Sequence, residues 1–185
     1  MTTSSTIHPQ YVTGTWNLDP THSELSFWVR HLAISKVRGT FERFDATLVT
    51  ADDLADTTLE ASIDVASVNT NQKDRDNHLR TGDFFLTEEF PTMDFVSTSI
   101  TTDGDDFVLN GDLTLRGVTK PVVLKGEFGG IITDGYGQTK AAASATTKIN
   151  RTDYGVNWNA ALEAGGFTLG DEVTINVELQ LVLQP

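Results

Sequence analysis

The run Arg75-Asp76-Asn77-His78 sets a carboxylate and an imidazole two positions apart, the pairing that general acid–base catalysis uses. The same run has a plainer reading. Asp74, Arg75, Asp76 and Arg80 stand at helical spacings, where they form local ion pairs that fix a connector. No nucleophile accompanies the pair, because none of the serines sits in a Gly-x-Ser-x-Gly elbow. The chain has no cysteine, which removes disulfides, thiolate chemistry and cysteine-ligated metals. It also lacks a phosphate-cradling loop and a dinucleotide fingerprint. Of the histidines His8, His22, His31 and His78, none stands at the i, i+2 or i, i+4 spacing of a ligand pair. A metal site would need folding to unite His22, His31 and His78 with an acid such as Asp76. The expectation is therefore no catalytic residue, no metal and no cofactor.

The elements around this run alternate. Leu25, Phe27 and Val29 share one face of a segment whose other face is Glu24, Ser26 and Arg30, the period of a half-buried strand. The same pattern holds for Trp16 and Leu18, for Leu59, Ala61, Ile63 and Val65, and for Met93 and Phe95. It continues through Phe107, Leu109, Gly111, Leu113 and Leu115, then Val122, Leu124, Gly126 and Phe128, and finally Val173 to Leu181. Between Phe41 and Phe44 the phase slips, which predicts a bulge or bend. Asp103-Gly104-Asp105-Asp106 is a hairpin turn. These segments predict roughly eight strands joined mostly by short turns, with one helical connector near residues 72–81. One-sided alternation in nearly every strand favours an antiparallel barrel over a sandwich, because closure hides the edges. Residues 1–10 are polar and read as a disordered tail, leaving 11–185 as one barrel domain.

The interior is open to two readings. Gly39, Ala46, Ala61, Gly111, Gly126, Ala141, Ala143 and Ala145 fall on the inner face among long and aromatic residues. Such a mixture lines an apolar cavity, or it interdigitates in a dry core. A net charge of −13 repels phosphate backbones and excludes nucleic acid as a partner. No apolar run reaches the roughly 20 residues that span a bilayer, and the N-terminus has no signal-peptide pattern. The expectation is a cytoplasmic protein without membrane insertion. The apolar stretch Trp158–Phe167 reads as a lid or as the contact of a homodimer.

Several blocks carry a resemblance to a known family. They are Trp16-Asn-Leu-Asp-Pro-Thr-His-Ser23, Phe27-Trp-Val-Arg-His-Leu32, Val37-Arg-Gly-Thr-Phe41 and Asp64-Val-Ala-Ser-Val-Asn-Thr70. Arg75-Asp-Asn-His-Leu-Arg80, Asp83-Phe-Phe85 and Phe90-Pro-Thr-Met-Asp-Phe95 follow. The last are Gly111-Asp-Leu-Thr-Leu-Arg-Gly-Val-Thr-Lys-Pro121 and Asn150-Arg-Thr-Asp-Tyr-Gly155. In this order the chain resembles the YceI-like family of bacterial, lipocalin-like, polyisoprenoid-binding proteins. The resemblance implies an all-β, eight-stranded antiparallel barrel around a hydrophobic tunnel. It implies storage, transport or sequestration of a polyisoprenoid, a quinone or another long-chain lipid. The expected wall is Phe27, Val29, Ile63, Val65, Phe84, Phe85, Met93, Phe95, Leu113 and Leu115. Arg75, His78 and Arg80, with Lys73, form a basic cluster expected at the mouth, where it would hold a phosphate or quinone head. The alternatives are an enzyme that acts on a bound hydrophobic substrate through Asp76 and His78, or a stress-related interaction protein.

Overall fold

The computed structural model describes residues 7–163 and 165–185, so residues 1–6 of the expected tail lie outside the described residues. Strands β1 (Gly14–Leu18) and β2 (Glu24–His31) are two halves of one path, interrupted at Asp19-Pro20. Strands β3 (Ser35–Phe41) and β4 (Phe44–Thr50) are two halves of the next. Antiparallel pairing of β2 with β3 and of β1 with β4 makes the two paths one long hairpin. Its break at Glu42-Arg43 falls where the apolar phase slips. The slip is needed because a strand continued in register from Phe41 would turn the Phe44 side chain to water. Ser67 seals the break, its hydroxyl accepting the Arg43 N–H at 3.0 Å and its carbonyl the Glu42 N–H at 3.2 Å.

The chain continues through β5 (Thr58–Asp64), the short β6 (Val68–Asn69) and helix α1 (Lys73–Leu79). Strands β7 (Thr92–Asp103), β8 (Asp106–Leu115), β9 (Val118–Thr133), β10 (Thr139–Asn150) and β11 (Leu169–Leu183) complete it. Pairing runs β1-β4-β5-β7-β8-β9-β10-β11 and returns to β1, so eight antiparallel strands close a barrel. The second edge of β11 is shared. Leu181 and Leu183 pair with Leu18 and Trp16 of β1, and Val173 and Val177 pair with Val29 and Leu25 of β2. Among the described residues no helix is long and apolar enough to cross a membrane.

The two ends differ. One carries the turns 51–57, 104–105 and 134–138, with Ile7 and Pro185. The other carries the 32–34 turn, α1, the 80–91 segment and residues 151–163 and 165–168, and it is sealed. Val65, Val68, Phe84, Leu115, Tyr154 and Val156 form a buried cluster there. Phe27, Phe41 and Phe85 stack into it with ring centroids 5.4 and 6.0 Å apart. Arg151, 5% exposed, donates to the carbonyls of Gly170 (2.9 Å), Val156 (2.8 Å) and Trp158 (2.8 Å). Burial pushes its pKa down, and the Asp171 carboxylate pulls it back up.

The inward glycines do not leave room, so of the two readings the interdigitated one holds at these positions. Phe27 lies over Gly39, Phe95 over Gly111 and Phe107 over Gly126, so rings from neighbouring strands occupy the vacated space. A methyl on Gly126 would collide with both the Phe107 ring and the Ser144 carbonyl, which is backbone and does not yield. Gly126→Ala is expected to cost about 1–3 kcal/mol in urea unfolding, the range for overpacking. Arg151→Met strands three carbonyls at the sealed end and is expected to cost about 2–4 kcal/mol. Unchanged unfolding midpoints would refute these assignments.

Candidate functional site

Above the sealed end the lumen is hollow. The cavity has a volume of about 250 Å³ and is walled by inward residues of all eight ring strands. A single water needs roughly 10–15 Å³, so this is no water-sized defect. Its floor cuts each strand at one level. Leu25 lines the cavity and Phe27 does not. The same step separates Phe44 from Phe41, Ile63 from Val65, Leu113 from Leu115, Thr147 from Ile149 and Ile175 from Val173. Above that level alanines face the lumen: Ala46 opposite Ala61, and Ala141, Ala143 and Ala145 along β10. Ala46, Ala61 and Ala141 pack beside Trp16, and their short side chains line the lumen without reaching into it.

The mouth lies at the other end. Its turns carry Asp52, Asp53, Asp56, Asp103, Asp105 and Asp106, all exposed, and no lysine or arginine. Beside them Lys140 joins Asp134 (3.1 Å) to Asp19 (3.5 Å) and pins the 134–138 turn to the β1–β2 junction. The Gln138 N–H, followed by Lys140, holds the Asp134 carboxyl below its usual range, and Asp134 pushes the Lys140 pKa up. A hydrogen bond with His22 lowers the Asp19 pKa, against the opposing effect of burial.

Ahead of β1, Ile7 to Val12 cross this mouth as irregular chain, and Ile7, His8, Tyr11 and Val12 border the cavity. His8 Nδ1 accepts the Gln10 N–H at 3.1 Å, so Nε2 carries the proton and donates to Asp105 at 2.8 Å. The ring meets Phe128 edge-on, with centroids 4.7 Å apart. Tyr11 donates its hydroxyl to the Ala51 carbonyl at 2.7 Å and lies 2.6 Å from Thr57 Oγ1. Thr50 Oγ1 donates to the Val12 carbonyl at 2.7 Å while accepting the Trp16 indole N–H at 3.1 Å. The expected tail thus lies, from Ile7 onward, against the barrel. Nothing periodic marks these residues in the sequence. Only Ile7, Tyr11 and Val12, apolar in a polar stretch, hint at contact.

Of the expected wall, Ile63, Met93, Phe95 and Leu113 border the cavity. Phe27, Val65, Phe84, Phe85 and Leu115 pack in the cluster beneath it, and Val29 is buried outside the lining. The basic cluster stands at the sealed end. Arg75 donates to Thr70 Oγ1 (2.7 Å) and to the Thr70 carbonyl (2.8 Å). Arg80 donates to the carbonyls of Ala66 (2.8 Å) and Val68 (3.3 Å) and to Asn77 (2.9 Å). Asp76, buried, accepts the Thr70 N–H (2.9 Å) and hydroxyl (2.5 Å). His78 bonds Asp83 at 2.8 Å, its ring edge-on to Phe84 and Trp158. Asp76 and His78 share no hydrogen bond, and neither borders the cavity. Among the described residues no cluster of three His, Asp or Glu side chains is placed to hold a metal ion.

A family model for the YceI-like domain matches residues 16–181. A UPF0312 protein of Staphylococcus aureus (strain MSSA476) is 38% identical over 160 residues, covering 85% of this chain and 91% of that protein. The crystal structure of a Campylobacter jejuni YceI protein superposes with a TM-score of 0.70 at 32% identity, covering 84% of this chain and 90% of that one. A polyisoprenoid binding domain from Saccharophagus degradans, implicated in plant cell wall breakdown, shares the fold at TM-score 0.70 and 17% identity, over 94% of this chain and 100% of that one. A barrel of eight strands, hollow above an aromatic floor and matched across nearly its whole length, makes this chain a member of the YceI-like family.

Proposed function

We propose that the chain binds a polyisoprenoid or a similar long-chain apolar lipid in the barrel lumen, and so stores, carries or sequesters it. The observation that carries this reading is the alanine-walled cavity above the aromatic floor. A lumen of this lining offers no directional contact, so its ligand is held by burial alone. Each buried methylene contributes about 0.8 kcal/mol, and about ten buried carbons give on the order of 8 kcal/mol before the costs of ordering. The name of the Saccharophagus degradans domain supports a prenyl chain. The rim of aspartates favours an uncharged head such as a prenol or quinone over a phosphate, whose charge it repels. Arg75, His78 and Arg80 are engaged at the sealed end and do not compensate for that repulsion.

Three measurements test the reading. Protein purified without detergent should release a prenyl lipid on organic extraction, detected by native mass spectrometry before and after. Ala143→Phe fills the lumen from β10. It is expected to weaken binding of a neutral polyprenol at least tenfold while the melting temperature stays equal or rises, and undiminished affinity would place the lipid elsewhere. His78→Ala is expected to leave polyprenol affinity within about twofold, because burial in the lumen, not the connector, supplies the binding energy. A large loss would restore the connector to the site.

A further inference from the structure

We infer that residues 7–12 form a strap that gates the lumen, held shut by the hydrogen bond from His8 to Asp105. The inference rests on the lumen being the binding site. The rest of the rim consists of strand ends, the 104–105 and 134–138 turns and the 51–57 connection, which is anchored at both ends by paired strands, whereas ladder pairing of the N-terminal segment begins only at Gly14. Ahead of that residue the chain is fastened to the barrel by side-chain bonds of His8, Tyr11 and Thr50, which break without unfolding a strand. Yet Ile7, His8, Tyr11 and Val12 stand in the mouth, so an apolar chain passes only when they move.

Asp105 is a fixed post for the latch. It sits in the two-residue turn between β7 and β8, and its carbonyl accepts the Phe128 N–H at 2.7 Å. Phe128 in turn meets the His8 ring. Post, ring and imidazole therefore form one corner of the mouth. Its acceptor is 60% exposed, so water competes for the bond and the strap opens locally.

A gate and a wall differ kinetically. A wall supplies binding energy, so weakening it speeds release alone. A gate adds the same barrier to uptake and release, so loosening it speeds both and leaves affinity unchanged. The test is stopped-flow binding of diphenylhexatriene, an uncharged fluorescent apolar probe, to the wild type, His8→Ala, Asp105→Ala and the double variant. Uptake and release rates are expected to rise together by about fivefold in each single variant, because a hydrogen bond to a carboxylate this exposed is weakened by water to the worth of an ordinary one. The double variant should rise no further, because both changes break the same bond. Asp105 lies outside the strap, so agreement between the single variants excludes a local effect at residue 8. Unchanged rates, or faster release with unchanged uptake, overturn the gate while leaving lumen binding intact. Failure of the wild type to bind the probe overturns the binding reading itself, and the gate with it.

Discussion

Closure through β11 is the constraint on which the rest of the molecule depends. That strand is fifteen residues long, and no single partner occupies its second edge. One half of that edge goes to β1 and the other to β2. The division is possible because the first path breaks at Asp19-Pro20, where proline cannot donate to the ladder. Had only β2 paired, Trp16, Leu18 and Leu48 would face a slot open to water. With both halves paired, the ring has no free edge along the lumen, and its circumference is set by strand number and stagger. Side-chain volume then decides whether the interior is solid or hollow.

The choice is made level by level along the same strands. Below the floor, the rings of Phe27, Phe41 and Phe85 stack, and Phe27 covers Gly39. Above it, alanines of β4, β5 and β10 line the lumen beside Trp16 and Leu181, and their short side chains stop at its wall. Leaving such space unfilled is costly. At roughly 24 cal/mol per Å³ of cavity, the lumen forfeits on the order of 6 kcal/mol of packing, a large part of a domain's net stability. A ligand that restores those contacts is therefore stabilising in the same measure, which ties fold and binding to one set of side chains.

Much of this was legible from the residues. Period-two alternation announced the strands, the Phe41-to-Phe44 slip announced the bend at Glu42-Arg43, and the small residues of β10 made a cavity one of the two readings of the interior. Two features were misread for physical reasons. Glycine and alanine look alike as small residues, but a glycine has no Cβ and admits a neighbouring ring that a methyl would repel, so an inward glycine does not by itself mark empty space. Position along the barrel axis was also invisible. Alternation tells which face a residue occupies and not at which height, so Val65 and Leu115 looked like the same wall as Ile63 and Leu113. The strap was hidden for a third reason: irregular backbone has no period to detect.

The charged connector shows why ionic density is a poor guide to a mouth. The sealed end is built of irregular chain, whose carbonyls have no ladder partners and require donors. Arginine supplies them. Arg75 serves Thr70, Arg80 serves Ala66 and Val68, Arg116 serves Gly82 and Gly155, and Arg151 serves Val156, Trp158 and Gly170. Its guanidinium donates in several directions and stays protonated when buried, so one side chain satisfies carbonyls from different segments. The open end has no such need, because its turns are hydrated, and it carries aspartates instead. Arginine is thus concentrated at the sealed end, among acids such as Asp76, Asp83 and Asp171, and absent from the turns of the open one. The cluster that most resembles a binding site in sequence is the stopper, and the acidic rim that resembles simple solubility surrounds the opening.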